Sequence, residues 1–220
     1  QKLLEARKKG EVAKSTDVMT AAGYAGLLIA LVVGGSSGLH DAGTSLMILL
    51  DQAGQIAPLL FDGAPNALMA GQIYPIIIGL LPIFALPAAA VILSVLAQRA
   101  LVFAPSKLKP KLSRISPIAN AKNKFGRQGF FEWAKSFIKL SIYSVVLFMM
   151  ISARMPDMIA VLRTESHLVL LLLAELCIAF LFAVVLISSV IGLVDGVWQH
   201  FEHIRKNRMS HKEIADENKE

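Results

Sequence analysis

A single carboxylate interrupts an otherwise uncharged run of this 220-residue chain: Glu175, between Leu168 and Val194. An ionised carboxylate left unpaired in hydrocarbon costs several kcal/mol, so Glu175 needs a partner or a proton. Three roles follow: a contact with another subunit, a contact within the chain, or a step in a proton relay. Gly34-Gly35-Ser36-Ser37-Gly38 contains both Gly-x-Ser-x-Gly and Gly-x-Ser-Gly, spacings used by serine hydrolases. A nucleophilic serine needs a base within hydrogen-bond reach, yet His40, His167, His200, His203 and His211 all lie outside the apolar runs, so a glycine-rich helix end is expected instead. His200 and His203 share a spacing of three, but no His-Glu-x-x-His string or cysteine completes a zinc site. The lone Cys177 reads as a small buried hydrophobe, and no glycine-rich phosphate loop occurs. No catalytic, metal or cofactor site is expected, and the chain reads as non-enzymatic.

Positive charge is the other chemical feature. Ten Lys/Arg fall between Arg99 and Lys139 against one acid, Glu132. The stretch from Gln98 to Trp133 has 36 residues, where neighbouring helices are usually joined by about two to eight. Pro105, Pro110 and Pro117 prevent a continuous helix, and Lys107-Leu108-Lys109-Pro110-Lys111-Leu112 alternates charged and apolar groups as an extended surface segment would. A polybasic loop attracted to anionic lipid is one reading. Leu108, Leu112, Ile115, Ile118 and Phe125 form an apolar series that electrostatics alone does not require, which favours a strap that folds on partner subunits. The candidate partner-binding and gating residues are therefore Lys107, Leu108, Lys109, Lys111, Leu112, Arg114, Ile115, Ile118, Lys122, Lys124, Phe125 and Arg127.

The elements around these residues belong in a membrane. Hydrophobic residues make up 55% of the chain and mean hydropathy is +0.60, with the apolar residues gathered in runs. A net charge of +6 does not point to nucleic acid, because the basic residues flank apolar runs without an aromatic–basic surface. Val18–Leu39 is uncharged for 22 residues and follows Ser15, Thr16 and Asp17, any of which can cap a helix. It is longer than the apolar core of a signal peptide and lacks a clear cleavage pattern, so it is expected to be retained. Between Asp62 and Arg99 lie 36 uncharged residues, most apolar from Ile73 to Leu96 and expected to kink at Pro75, Pro82 and Pro87. The third run, Leu140–Ala153, has 14 residues and must borrow length from Phe130–Lys139, whose lysines can snorkel. Leu168–Val194 is the fourth.

Four spans place 20 of the 22 Lys/Arg on one side, which makes both termini and the central connection cytoplasmic. Trp133 and Trp198 then sit at the cytoplasmic interface. Asp195, at the cytoplasmic end of the fourth span, is expected to meet water or a nearby Lys/Arg. The fold expected is an all-α integral membrane protein whose four transmembrane helices form two hairpins joined by a long basic cytoplasmic loop. Its segments are a basic N-terminal stretch (1–17), a first hairpin (18–97) with an outer-side loop (40–71), the connection (98–133), a second hairpin (134–197) and a helical cytoplasmic linker (198–220). Within the outer loop, Thr44–Phe61 is amphipathic and suits a surface-lying helix. Gln1 is not a translation start and the chain stops in a charged, helix-compatible stretch, as a piece of a longer protein would.

Three strings carry a family resemblance: LLEARKKGEVAKSTDV near the N-terminus, LSRISPIANAKNKFGRQGFFEWAKSF in the connection and WQHFEHIRKNRMSHKEIADENKE at the end. In order and with four spans between them, they resemble the FlhB family of flagellar type III secretion proteins and its injectisome relatives of the YscU type. The resemblance implies an inner-membrane subunit of the export gate, joined to pore-forming subunits, with the connection wrapped around the gate's cytoplasmic mouth and helping to control its opening. Family members continue into a cytoplasmic domain that cleaves itself at Asn-Pro-Thr-His and switches export between substrate classes, and contacts to exported flagellar proteins and the export ATPase would run through that domain. No Asn-Pro dipeptide occurs here, so only the membrane half is represented. The reading from another class is a small proton-coupled transporter using Glu175.

Overall fold

The computed structural model describes residues 7, 12–35, 37–61, 69–102, 127–161 and 166–207. Every element among them is helical: α1 (Thr16–Val33), α2 (Gly38–Asp51), α3 (Ala53–Phe61), a π-helical turn (Met69–Ile73), α4 (Tyr74–Ala97), α5 (Arg127–Val161) and α6 (Ser166–Lys206). Four segments are long and apolar enough to cross a membrane, namely Thr16–Val33, Ala70–Ala97, Glu132–Val161 and Leu168–Lys206.

The chain divides into two compact units. The first comprises Ser15–Gln98 together with Val185–Val197. Here α1 and α4 run antiparallel, and small residues decide how close they come. A Cβ on Gly23 would meet Val91 Cγ2 at 3.3 Å, one on Gly26 would meet Leu86 O and Pro87 Cα at 2.7 Å, and one on Gly34 would meet Pro82 Cβ at 3.4 Å. Lipid chains are as apolar as leucine, so helices in a bilayer associate by such packing rather than by hydrophobic exclusion. Of the buried residues of α1, Gly26 and Ala30 share a face with Gly23, whereas Ala21 lies on the opposite side of the helix.

The three prolines of the second span play different parts. Pro75 lies where the π-helical turn passes into the first turn of α4, whereas Pro82 and Pro87 lie inside the helix. Both interior prolines face α1 across Gly34 and Gly26. The run Val18–Leu39 does not make one helix: Gly34 closes α1 by donating its N–H to Ala30 O at 3.0 Å, and α2 begins at Gly38. The amphipathic stretch expected over Thr44–Phe61 is likewise divided, between α2 and α3, at Gln52.

The second unit holds 1–14, 99–184 and 198–220. Its helix α5 is continuous for 35 residues, so the short third run does draw on the preceding turns. Phe130, Trp133 and Phe137 stack along one side, with ring centroids 5.7 and 5.5 Å apart. Lys135 and Glu132 pair at 3.6 Å on another side. Helix α6 passes without a break from the fourth span into the polar tail as far as Lys206, where Glu202 pairs with Arg205 at 2.8 Å and with Lys206 at 3.5 Å.

Candidate functional site

The most elaborate polar site in the described residues stands at one end of the first unit, centred on Ser15. This residue is 1% exposed, and its hydroxyl and backbone N–H together reach three elements. The hydroxyl oxygen accepts from Val18 N–H at 3.2 Å, which caps α1 as the sequence allows. The same hydroxyl donates to Asp195 Oδ2 of α6 at 2.6 Å, and the backbone N–H donates to Gln98 Oε1 at the end of α4 at 2.7 Å. One residue thus ties together three helices that are remote in sequence.

Glycines on α6 make that approach possible. A Cβ on Gly192 would meet the Asp17 carbonyl and Val18 Cα at 3.1 Å, and one on Gly196 would meet Val18 Cγ2 at 3.3 Å. With Asp195 between them, the pattern Gly192-x-x-Asp195-Gly196 lays the α6 backbone against the first turn of α1 and inserts one acceptor into the seam. For Asp195 the sequence suggests water or a nearby Lys/Arg; it is 7% exposed, so its carboxylate is enclosed rather than open to water, and it accepts from the Ser15 hydroxyl. A short bond to an ionised acceptor is the stronger class of hydrogen bond, and it offsets part of the desolvation of the carboxylate.

The junction also marks where the long connection begins. Gln98 caps α4, its N–H donating to Ser94 O at 3.0 Å, and Arg99 follows with φ of 51°. A non-glycine residue in the left-handed region ends a helix abruptly and turns the chain away. Residues 12–14 lead into Ser15, the connection follows Gln98, and α6 continues past Val197 to Lys206. All three are joined to the same polar knot by chain continuity.

Of the residues chosen from sequence, Lys107, Leu108, Lys109, Lys111, Leu112, Arg114, Ile115, Ile118, Lys122, Lys124 and Phe125 lie outside the described residues, and Arg127 opens α5. Glu175 is on α6, and its carboxylate lies 3.3 Å from the Arg154 guanidinium of α5, which also contacts Asp157 at 3.4 Å. Glu175 therefore has a partner within the chain. Cys177 is exposed on α6 rather than buried, because the apolar side chains around it turn outward from a helix with few neighbours in the isolated chain. Ser37 and His40 are both exposed near the glycine-rich break, and no group of three or more His, Cys, Asp or Glu among the described residues could hold a metal. Sequence reasoning missed Gln98 and the pairing of Asp195 with Ser15. The available signal was the glycine pair flanking an acid at the end of a span.

Comparison with known proteins places this architecture. The model of the FlhB, HrpN, YscU and SpaS family matches residues 1–220. The chain belongs to this family. It is 32% identical over 230 residues to the flagellar biosynthetic protein FlhB of Salmonella typhimurium, covering all of this chain and 57% of the relative. It is 24% identical over 222 residues to the Yop proteins translocation protein U of Yersinia pestis, with 61% of that protein covered. The FlhB of Bacillus subtilis is 23% identical over 219 residues, with 60% covered. The chain thus spans about three fifths of the length of these family members. No solved structure matches it.

Proposed function

We propose that this chain is the membrane-spanning part of an inner-membrane subunit of a bacterial type III protein export apparatus, of the flagellar kind. In that role it binds the pore-forming subunits of the export gate through the basic connection of 98–133 and helps to control opening of the gate. The observation that carries the proposal is the family match across 1–220, together with four helices of membrane-crossing length and composition. The charge distribution supports cytoplasmic termini and a cytoplasmic connection. The Ser15 junction supplies what such a connection needs, a firm origin, because Gln98 is held at the foot of three helices.

The chain's part in export is non-enzymatic on this reading. A proton-coupled transporter built on Glu175 is less well supported, since the Arg154 guanidinium at 3.3 Å gives that carboxylate a structural counter-ion. Reversal of Lys107, Lys109, Lys111 and Arg114 to Glu should reduce secretion of exported proteins at least about tenfold, on the order of one lost charge-assisted contact, while membrane insertion is unchanged. Normal secretion by that variant, or absence of other membrane subunits from a mild-detergent pull-down, would count against the proposal.

A further inference from the structure

Two of the three partners of Ser15 stand beside points where the chain changes unit. It passes between the units at four peptide bonds, Lys14–Ser15, Gln98–Arg99, Val184–Val185 and Val197–Trp198. Ser15 and Gln98 are themselves ends of the first unit, and Asp195 lies two residues before a third end. Three of the four crossings therefore start from one hydrogen-bonded group, a gathering that capping α1 does not require.

The two interhelical bonds are in series through a single residue. Asp195 Oδ2 holds the Ser15 hydroxyl at 2.6 Å, and the Ser15 backbone N–H holds Gln98 Oε1 at 2.7 Å. The cap to Val18 fixes Ser15 between them, at φ −99° and ψ 122°, so movement of either partner is passed to the other. The α6 end is keyed by its glycines. Leu193 and Val197 stand next to Gly192 and Gly196, and their side chains could not enter a seam where even a Cβ would lie 3.1 to 3.3 Å from α1. Sliding or turning α6 by one residue thus opens the seam rather than deforming it. Beyond Asp195 the helix rises about 16 Å to Lys206, with no glycine or proline from 197 to 206. The α4 end is held more lightly, because the bond to Gln98 joins neutral groups, the weaker class.

We propose that Ser15 is a clasp coupling α6 to the root of the connection, so that displacement of the tail of α6 is felt at Arg99 and Leu101. Arg99, at φ 51°, sits in a backbone conformation that costs free energy in a non-glycine residue and persists while its surroundings hold it. The hold is Gln98, anchored through Ser15 to α6. When the clasp opens, the chain after Ala97 moves as a loop. The coupling is a property of the chain itself, whereas its use in export, linking the tail to the segment that contacts the gate, rests on the proposed role.

The test uses the purified full chain with Cys177→Ala in phosphatidylcholine vesicles, spin-labelled through a single cysteine replacing the exposed Leu101. Gln98→Met removes the lighter bond directly, and the rotational correlation time at 101 should fall about threefold as ordered backbone becomes loop. In Asp195→Ala the bond to Gln98 remains but its donor is no longer anchored to α6, and the correlation time at 101 should fall at least about twofold. Asp195→Asn keeps an oxygen that can accept from the Ser15 hydroxyl, and should restore most of the ordering. A label at the exposed Ile92, inside α4, should change by less than about 1.5-fold in all three variants, which separates opening of the clasp from loss of the fold. If Asp195→Ala does not insert, a double-mutant cycle of Gln98→Met with Asp195→Asn serves instead, and the unfolding constants should depart from multiplicativity by at least about twofold. The proposal is overturned by an unchanged label at 101 in Gln98→Met or Asp195→Ala, by equal effects of Asn and Ala, by equal changes at 92 and 101, or by a multiplicative cycle. None of these readouts measures export, so such a result leaves the role in export standing, and the secretion and pull-down assays test that role separately.

Discussion

Replacing Ser15 with alanine should disconnect three helices at once, and the size of the loss can be worked from the contacts. The helix cap to Val18 N–H is worth about 1 kcal/mol. The 2.6 Å hydrogen bond to Asp195 adds about 1.5–3 kcal/mol, the range for a hydrogen bond to a charged group in a buried site. The backbone bond to Gln98 survives the substitution. Ser15→Ala is therefore expected to lower stability by about 2.5–4 kcal/mol. Asp195→Ala removes the same interhelical bond but leaves the cap, so at least about 1.5–3 kcal/mol should be lost. In the double variant the shared bond is lost only once, and the two effects should fall short of additivity by about 1.5–3 kcal/mol. SDS titration of the purified chain in mixed micelles, followed by tryptophan fluorescence and helicity, measures all four corners of the cycle. Ser15→Thr should restore most of the loss. Additivity within about 0.5 kcal/mol would refute the coupling, and a Ser15→Ala loss of only about 1 kcal/mol would mean that the residue acts solely as a cap.

At the α1–α4 contact, Gly26→Val should separate the helices and lower stability by at least about 2 kcal/mol in the same titration, because its Cβ would meet backbone atoms at 2.7 Å. Gly43→Ala, at a helical site with nothing within 4 Å, should be neutral or gain up to about 1 kcal/mol. For the Arg154–Glu175 pair, Arg154→Leu alone leaves a carboxylate without its 3.3 Å counter-ion, so the yield of folded protein from membranes should drop several-fold. Arg154→Leu with Glu175→Leu should recover that yield, and a double variant no better than the single one would contradict the structural role.

Local properties of the chain were enough to specify its class. The four apolar runs, their lengths and the Lys/Arg asymmetry between them depend on composition within a window, and a membrane selects on hydrophobicity and length one segment at a time. Ser15 could be named as a cap because capping needs only residues three apart. The position of Gly34 likewise announced the end of α1. Pairings between segments were a different matter. That Gly26 faces Pro87, that Gly38 faces Gly79, and that Ser15 meets Asp195 across a separation of 180 residues follow from where one helix lies on another. Asp195 illustrates the reason: from sequence it is an acid at a helix end, for which water or a nearby Lys/Arg is the default partner. Only the packing of Gly192 and Gly196 on α1 encloses that carboxylate and brings the Ser15 hydroxyl to it.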